Sequence, residues 1–279
     1  NKSNVDVLMD QSTPVERLGK EYIAMKGNGN LSTGMERPIV LATEDNTNVY
    51  INNETTPIVL NKGQHVMIDS SKYIQASTTS DAYNMYIRAD KTIYAYQLLG
   101  GVDNGNGSFS HASGGYNILP TLQCLLPNKI EEFAKVDEIG SQTGFDTRLN
   151  IITEAGATVK VNGTTLSATN GPFPVLGNSN WVTFMVRNVT GNVTIESTKA
   201  VTAGIAAGNN AVGYGGYFAG FNSNPIVSKG GDCDKKNITL EVDDTYDSYQ
   251  WYYNGNPYTG KGADTYIISP TESGEYFVK

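Results

Sequence analysis

The sequence predicts an all-β protein with two duplicated β-sandwich-like units and a third, different segment after them. Among 279 residues there are 30 Gly and 17 Tyr, and only 17% are charged. This composition is typical of short strands joined by tight polar turns, because aromatic and β-branched residues suit a pleated, half-buried surface. Apolar residues alternate along many short segments, and two of these segments recur later in the chain. Helical periodicity is scarce.

The duplication is visible in two pairs of segments that keep the same order. Thr43–Asn52 matches Thr153–Asn162 without a gap, and both predict a strand, a turn and an alternating strand. Ile87–Gln97 matches Ile195–Ile205 in the same way. Matched order and spacing favour duplication over chance similarity between strands. The predicted division is residues 1–112 for the first unit, 113–227 for the second and 228–279 for the last module.

Alternation and turn chemistry predict the individual elements. Asn162-Gly163 is a strong signal for a two-residue hairpin turn. One short segment, Asn128–Lys135, is the only candidate helix. Further strands are predicted at Ile39–Leu41, His65–Ile68, Val182–Val186 and Val193–Ile195.

The last stretch follows a predicted linker at Ser223–Gly231 and resembles an immunoglobulin-like or PKD-like repeat. Trp251 stands where such modules bury a tryptophan, and Ser273–Tyr276 resembles their tyrosine corner. Val278 and Leu240 stand near the places of the two cysteines, so the resemblance implies apolar packing in place of a disulfide. A final strand is not found, and we expect a partial module cut from a longer chain. Asn1 begins no signal peptide.

Several segments of the first 227 residues are similar to those of one known domain. They are residues 18–22, 40–47, 59–64, 87–91, Leu119-Pro120, Leu126-Pro127 and 213–217. Through these segments the region resembles the domain named after the amino-terminal region of the IgG-Fc-binding protein. In Bacteroidota such domains belong to large surface adhesins, including gliding adhesins exported by type IX secretion, so the resemblance implies an extracellular, outer-membrane-attached segment flanked by Ig-like repeats. It does not imply binding of antibody Fc.

Bulk properties exclude several classes of partner. The net charge is −8, and no Lys/Arg cluster could neutralise a run of phosphates, so nucleic acid is not an expected partner. No apolar run approaches the length that spans a bilayer. The two cysteines, Cys124 and Cys233, form no zinc motif, and we expect separate buried thiols, with a long-range disulfide as the alternative.

Catalytic residues are not predicted. Only two histidines occur, His65 and His111. A Ser–His–Asp arrangement around His111 lacks a nucleophile elbow. The chain is therefore interpreted as a non-enzyme that requires no cofactor.

Calcium is the one metal that the residues suggest, because carboxylate and amide oxygens are its ordinary ligands. A Gly/Asn-rich loop and an acidic loop of the last module each cluster such oxygens. Flexible or solvated turns are the alternative interpretation of both. The candidate ligands are Asp103, Asn104 and Asn106 in the first loop, and Asp243, Asp244 and Asp247 in the second.

Four tyrosines are candidate ligand-binding residues, namely Tyr94, Tyr96, Tyr214 and Tyr217. Exposed aromatic faces could stack on sugar rings. The alternative is structural, since glycines in strands often allow close approach of an aromatic ring that covers them.

Together these observations predict a non-catalytic segment of a large secreted adhesin, acting in surface attachment and gliding motility. Its partners would be an extracellular surface or polysaccharide, neighbouring Ig-like repeats and the secretion machinery. The alternatives are a lectin-like glycan-binding module, a surface glycoside hydrolase with paired carboxylates, and a structural spacer.

Overall fold

The computed structural model describes residue 10 and residues 12–100, 113–122, 126–210, 212–218, 227–230, 238–244 and 246–279. The all-β prediction is confirmed, because antiparallel strands make up its regular structure. Three short 3-10 turns are the helical segments of this described part, at Val15–Arg17, Leu31–Thr33 and Ser70–Lys72. None of its helices is long and apolar enough to cross a bilayer. The chain forms two compact units, Asn1–Phe221 and Asn222–Lys279.

The first half of the larger unit, residues 10–122, is organised around one long strand. Its strands are β1 (Gly19–Met25), β2 (Pro38–Ala42), β3 (Thr47–Ile51), β4 (Ile58–Leu60), β5 (His65–Met67), β6 (Ile74–Gln75), β7 (Tyr83–Gly100) and β8 (Ser113–Ile118). The amino-terminal part of β7 pairs with β1, β3 and β6, and its carboxy-terminal part pairs with β2 and β8. β7 therefore joins the other strands of this half into one eight-stranded sheet.

The second half, residues 126–218, uses two strands where the first half uses β7. Its strands are β9 (Lys129–Phe133), β10 (Glu138–Ile139), β11 (Gln142–Thr143), β12 (Asp146–Glu154), β13 (Val159–Val161), β14 (Thr164–Thr165), β15 (Phe173–Pro174), β16 (Trp181–Arg187), β17 (Val193–Ser197), β18 (Val201–Asn209) and β19 (Val212–Phe218). β17 pairs with β9 and β13, whereas β18 pairs with β12 and β19.

The two halves repeat one pattern of pairing. Ile51 of β3 pairs with Ile87 of β7, and Val161 of β13 pairs with Ile195 of β17. The β1–β7 and β9–β17 pairs correspond in the same way. The predicted boundary between residues 112 and 113 stays a prediction, although pairing with β7 groups β8 with the first half.

Each half has its own apolar core, and a third core joins the halves. The first contains Val40, Val49 and Ile87, and the second contains Leu149 and Ile151. The third combines residues of both halves, including Ile23, Met25, Tyr86, Ile152, Phe173 and Trp181. Burial of apolar surface contributes about 25 cal/mol per Å², so this shared core stabilises the two halves against separation.

Strand β12 is buried on both faces. Leu149 and Ile151 point into the second core, while the alternate residues Arg148, Asn150 and Ile152 face the first half. Since side chains of a strand alternate between its faces, β12 contributes residues both to the second core and to the polar junction described below.

The smaller unit contains two three-stranded sheets around Trp251. Its strands are β20 (Ser228–Gly230), β21 (Thr239–Glu241), β22 (Trp251–Tyr253), β23 (Asn256–Pro257), β24 (Ile267–Ile268) and β25 (Tyr276–Val278). Trp251 is fully buried with Val278, and its indole N–H donates to the Thr265 carbonyl at 2.8 Å. The Tyr276 hydroxyl donates to the Glu272 carbonyl at 3.3 Å. The Ig-like assignment stays a prediction.

The predicted helix at Asn128–Lys135 is wrong. Lys129–Phe133 is strand β9, and Ile130 pairs with Ile195 of β17. The predicted strands at residues 39–41, 65–68, 182–186 and 193–195 are confirmed by β2, β5, β16 and β17. At the predicted hairpin turn, Asn162 and Gly163 have φ values of 49° and 76°, the left-handed conformation that this turn needs.

Candidate functional site

A stack of three tyrosine rings lies on β7 and β8. Tyr94 and Tyr96 share one face of β7, and their ring centroids are 6.1 Å apart with planes inclined by 11°. Tyr116 of β8 continues the stack at 4.7 Å from Tyr96 and 14°. Tyr96 is buried, whereas Tyr94 and Tyr116 are half-buried. We call these three residues the tyrosine stack.

The segment before β1 anchors the hydroxyl ends of this stack. The hydroxyls of Ser12 and Tyr96 lie 2.7 Å apart, within hydrogen-bond distance, and the Tyr94 hydroxyl donates to the Thr13 carbonyl at 3.1 Å. Burial raises the pKa of Tyr116 to about 12, so the ring stays neutral at physiological pH. The stack is therefore held from one side and can act as a fixed surface.

Tyr217 lies apart from the stack and points inward. Its hydroxyl donates to Gln97 Oε1 at 2.6 Å, and its ring covers Gly204 of the neighbouring strand. A Cβ at Gly204 would lie 2.8 Å from two Tyr217 ring carbons. Burial raises the pKa of Tyr217 well above its ordinary value. These contacts agree with the alternative interpretation of Tyr217, in which the ring has a structural role and covers a glycine.

Tyr214 is on the other face of β19 and packs against the second core. Its ring meets Phe145 edge-on at 5.7 Å, and its hydroxyl donates to the Val136 carbonyl. Burial raises the pKa of Tyr214 to about 12. The structure thus brings Tyr94 and Tyr96 together and places Tyr214 elsewhere.

A groove of about 490 Å³ lies next to the residues that anchor the stack, although none of the three stacked tyrosines lines it. Ser12 and Thr13, which anchor the stack, also line the groove, and so does Tyr217, whose ring otherwise packs against the apolar cores. Asp10 accepts a hydrogen bond from the Ile118 amide at 2.7 Å. We call this space the tyrosine groove; its lining is Asp10, Ser12, Thr13, Pro14, Asn117, Ile118, Gly215, Gly216 and Tyr217.

A second polar site lies at the junction of the halves. Arg148 of β12 is fully buried and donates from Nη1 to Asp81 Oδ2 at 2.9 Å. Lys26, which follows β1, donates to the same oxygen at 2.7 Å. Burial lowers the pKa of both Lys26 and Arg148. Burial acts to raise the pKa of Asp81, but the hydrogen bond from Lys26 and the charge of Arg148 outweigh it and lower the pKa.

Glu36 is the fully buried acid of this junction. Its carboxylate accepts backbone N–H bonds from Gly27 at 2.5 Å, Gly29 at 2.7 Å and Gly100 at 3.1 Å. Burial raises the pKa of Glu36 to about 7, because the opposing effects of Lys26 and of the Gly27 amide do not compensate for lost hydration. Glu36 thus ties the ends of β1 and β7 together.

The candidate calcium ligands remain untested. Asp103, Asn104 and Asn106 lie outside the described residues, as do Cys124, Cys233 and His111. Asp243, Asp244 and Asp247 are exposed. Within the described ranges, no group of three or more His, Cys, Asp or Glu residues is placed to hold a metal ion. His65 is exposed on β5. Calcium therefore stays a prediction.

Sequence reasoning missed Tyr116 and the buried charges. Tyr116 could have been found, because Gly114-Gly115-Tyr116 repeats the Gly215-Gly216-Tyr217 triplet that did attract attention. The strands that carry these triplets, β8 and β19, pack against each other. Glu36 and Arg148 carry no such local signal.

The fold and these sites define an all-β module whose two related halves share one core. A family model described as "IgGFc binding protein" matches residues 1–207. The chain therefore belongs to this family, which is not a known enzyme family and whose proteins are typically secreted or surface-exposed. The predicted resemblance of the amino-terminal region is confirmed.

Other comparisons add little. No curated protein matches the chain. Among solved structures, a lectin from Pleurotus ostreatus in complex with GalNAc is 12% identical, covers 90% of this chain and 84% of its own, and has a TM-score of 0.19. The apo form of the same lectin is also 12% identical, covers 90% of this chain and 83% of its own, and has a TM-score of 0.18. Scores this low do not indicate a common fold.

Proposed function

We propose that this chain is a non-catalytic, adhesive segment of a large secreted bacterial surface protein. It attaches to extracellular polysaccharide through the tyrosine groove and the tyrosine stack beside it. The observation that carries this proposal is the stack itself, in which Tyr94 and Tyr116 are the half-buried end rings of a fixed array.

The chemistry of the groove suits a sugar polymer. Aromatic rings provide broad, rigid contact surfaces with little loss of side-chain entropy. A ligand site combines such surfaces with a few polar groups that set orientation. Ser12, Thr13 and Asn117 supply hydroxyl, carbonyl and amide groups next to the stack. A polysaccharide presents a similar mixture of apolar ring faces and hydroxyl edges.

The wider setting of the proposal rests on sequence resemblance. We place the segment in a Bacteroidota adhesin exported by type IX secretion, attached to the outer membrane and acting in gliding motility. Neighbouring Ig-like repeats would continue the array. This proposal requires no cofactor. Calcium bound at residues 103–106 or 243–247 would stabilise a loop and would not form part of the binding surface.

Cosedimentation with insoluble polysaccharides tests this proposal. The 279-residue protein is mixed with cellulose, chitin and insoluble starch, and the bound fraction is measured against protein concentration. We expect saturable binding to at least one polymer. Tyr116→Ala should weaken this binding at least tenfold, because it removes an end ring of the stack. Tyr266→Ala, which changes a 40% exposed tyrosine of the smaller unit, is the matched control.

Three outcomes would contradict the proposal. The first is binding that Tyr116→Ala and Tyr266→Ala affect equally. The second is release of soluble sugars from the polymers, which would indicate a glycoside hydrolase. The third is binding to immobilised IgG Fc without binding to any polysaccharide. Thermal unfolding of each variant identifies losses that come from misfolding.

A further inference from the structure

A pocket of about 460 Å³ opens at the junction of the two halves, away from the tyrosine groove. Both halves build it, since Lys26, Asp81 and Tyr83 come from the first, and Asp146 and Arg187 come from the second. We call it the junction pocket; its lining is Lys26, Asn28, Asn30, Leu31, Asp81, Tyr83, Asp146 and Arg187. Its residues are distinct from those of the tyrosine groove.

The charges on the pocket wall cancel and are paired with one another. Arg187 donates to Asp146 at 3.0 Å and lies 3.5 Å from Asp81, which also holds Lys26 at 2.7 Å. A charged ligand would compete with one of these pairs and leave its partner uncompensated. Neutral hydroxyl groups can instead donate to the carboxylates and accept from Arg187 while the pairs persist.

Two acceptor atoms on the lining residues lack hydrogen bonds. Asn28 is 4% exposed, and its Nδ2 donates to the Asp146 carbonyl at 2.9 Å, while its Oδ1 has no partner among the described residues. Asp146 Oδ1 is also buried without one. A buried acceptor left unpaired costs about 1–3 kcal/mol. Both atoms are buried, so donor groups of a ligand would reach them only after the two side chains turn toward the pocket.

The remaining lining has apolar character. Tyr83 and Leu31 are half-buried and border the polar residues. The pocket therefore offers an aromatic and an aliphatic surface beside charged pairs. A neutral pyranose has a matching arrangement of apolar and polar groups, with C–H groups on its faces and hydroxyls around its edge.

From these features we infer that the junction pocket binds one neutral, hydroxyl-rich sugar unit. This inference shares its ligand class with the proposed function and deepens it, but it depends on different residues. A variant of either site can therefore fail alone. The pocket would hold a single residue or chain end, whereas the tyrosine groove would hold a polymer.

Isothermal titration of the full chain with defined sugars tests the inference. The probes are the methyl glycosides of glucose, galactose, mannose and N-acetylglucosamine, with glucuronic acid and glucosamine as charged comparators. We expect at least one neutral glycoside to bind saturably and the charged sugars to bind at least tenfold more weakly. Arg187→Gln and Asp146→Asn should each weaken binding at least tenfold. Lys160→Gln, an exposed change on β13, should leave it unchanged.

A second measurement uses only the wild-type protein, so it does not depend on whether the variants fold. In ¹⁵N-labelled wild-type protein, the side-chain amide signal of Asn28 should shift on addition of the bound glycoside. The inference is overturned if none of the four glycosides binds, if the Asn28 signal does not move, or if charged and neutral sugars bind alike. Binding lost in Tyr116→Ala but kept in Arg187→Gln would also overturn it, while supporting the tyrosine groove.

Discussion

The guanidinium of Arg148 crosses the junction between the two halves and meets the carboxylate of Asp81 at 2.9 Å. The Arg148 side chain is fully buried, whereas that of Asp81 is 40% exposed. Asn150, on the same face of β12, donates to the Lys26 carbonyl at 2.9 Å. The two halves are thus connected by directed polar bonds as well as by their shared apolar core.

Removal of the Asp81 carboxylate should destabilise the larger unit. Asp81→Ala leaves Arg148 buried without its counter-ion, and breaking a buried pair in this way typically costs about 3–5 kcal/mol. Because Asp81 is partly exposed, we expect a loss of about 3 kcal/mol in the free energy of unfolding, measured in urea. Glu196→Ala, an exposed change on β17, should stay within about 0.5 kcal/mol of wild type. Equal losses in both variants would contradict the assigned role of Asp81.

Glu36 should make stability fall as pH rises. Burial raises its pKa in the folded protein to about 7, whereas the ordinary value is 4.5. The folded state therefore holds a proton that the unfolded state has released. This contribution is fully present below about pH 4.5 and is lost as pH rises to about 7, by up to about 3 kcal/mol. Urea unfolding at several pH values measures it.

The control for this pH dependence is Glu36→Gln, which cannot titrate. We expect the variant to be less stable overall, since an amide accepts fewer of the backbone N–H bonds, and its stability to vary less between pH 4.5 and 7. The lowered pKa of Asp81 acts in the opposite direction, but only at more acidic pH. Identical pH profiles for wild type and variant would show that Glu36 does not titrate in this window.

Gly204→Ala should disturb Tyr217. The new Cβ would lie 2.8 Å from two carbons of the Tyr217 ring and 3.1 Å from the Gly216 carbonyl oxygen. We expect the ring to move away from Gln97 and the free energy of unfolding to fall by about 1–3 kcal/mol. Tyr217→Phe removes only the hydroxyl and is the matched comparison. If Gly204→Ala in the Tyr217→Phe background has the same effect as in wild type, the hydrogen bond is not part of the loss.

Local patterns predicted the strands well but could not predict every element. Alternation identified β2 and β17, in which buried and less buried residues alternate. It also identified β16, although Thr183, Phe184 and Met185 bury both faces of that strand. It failed for Lys129–Phe133, where Glu131 and Glu132 interrupt the apolar residues and pairing with β17 decides the conformation. The pattern of residues 87–97 predicts a strand, a turn and a strand, because Asp90-Lys91 is typical of turns. The structure instead continues β7 through these two residues.

The polar junction was beyond the reach of sequence patterns. Arg148 and Glu36 are charged residues that usually lie at the surface, and only the packing of two distant segments buries them together. Asp81 and Arg148 are remote in sequence, so no local spacing reveals their contact. Tyr94 and Tyr96 were found from alternation, whereas their stacking with Tyr116 depends on the register of β7 and β8.

If the tyrosine stack is the surface that binds polysaccharide, NMR signals of its rings should report the bound ligand. With ¹³C-labelled tyrosine rings assigned by single variants, the protein is titrated with soluble oligosaccharides of the polymer that it sediments with. We expect saturable shifts of the ring signals of Tyr94 and Tyr116, and unchanged signals of Tyr252 and Tyr253 in the smaller unit. Shifts confined to Tyr252 and Tyr253, or saturable binding with no shift at Tyr94 or Tyr116, would contradict it.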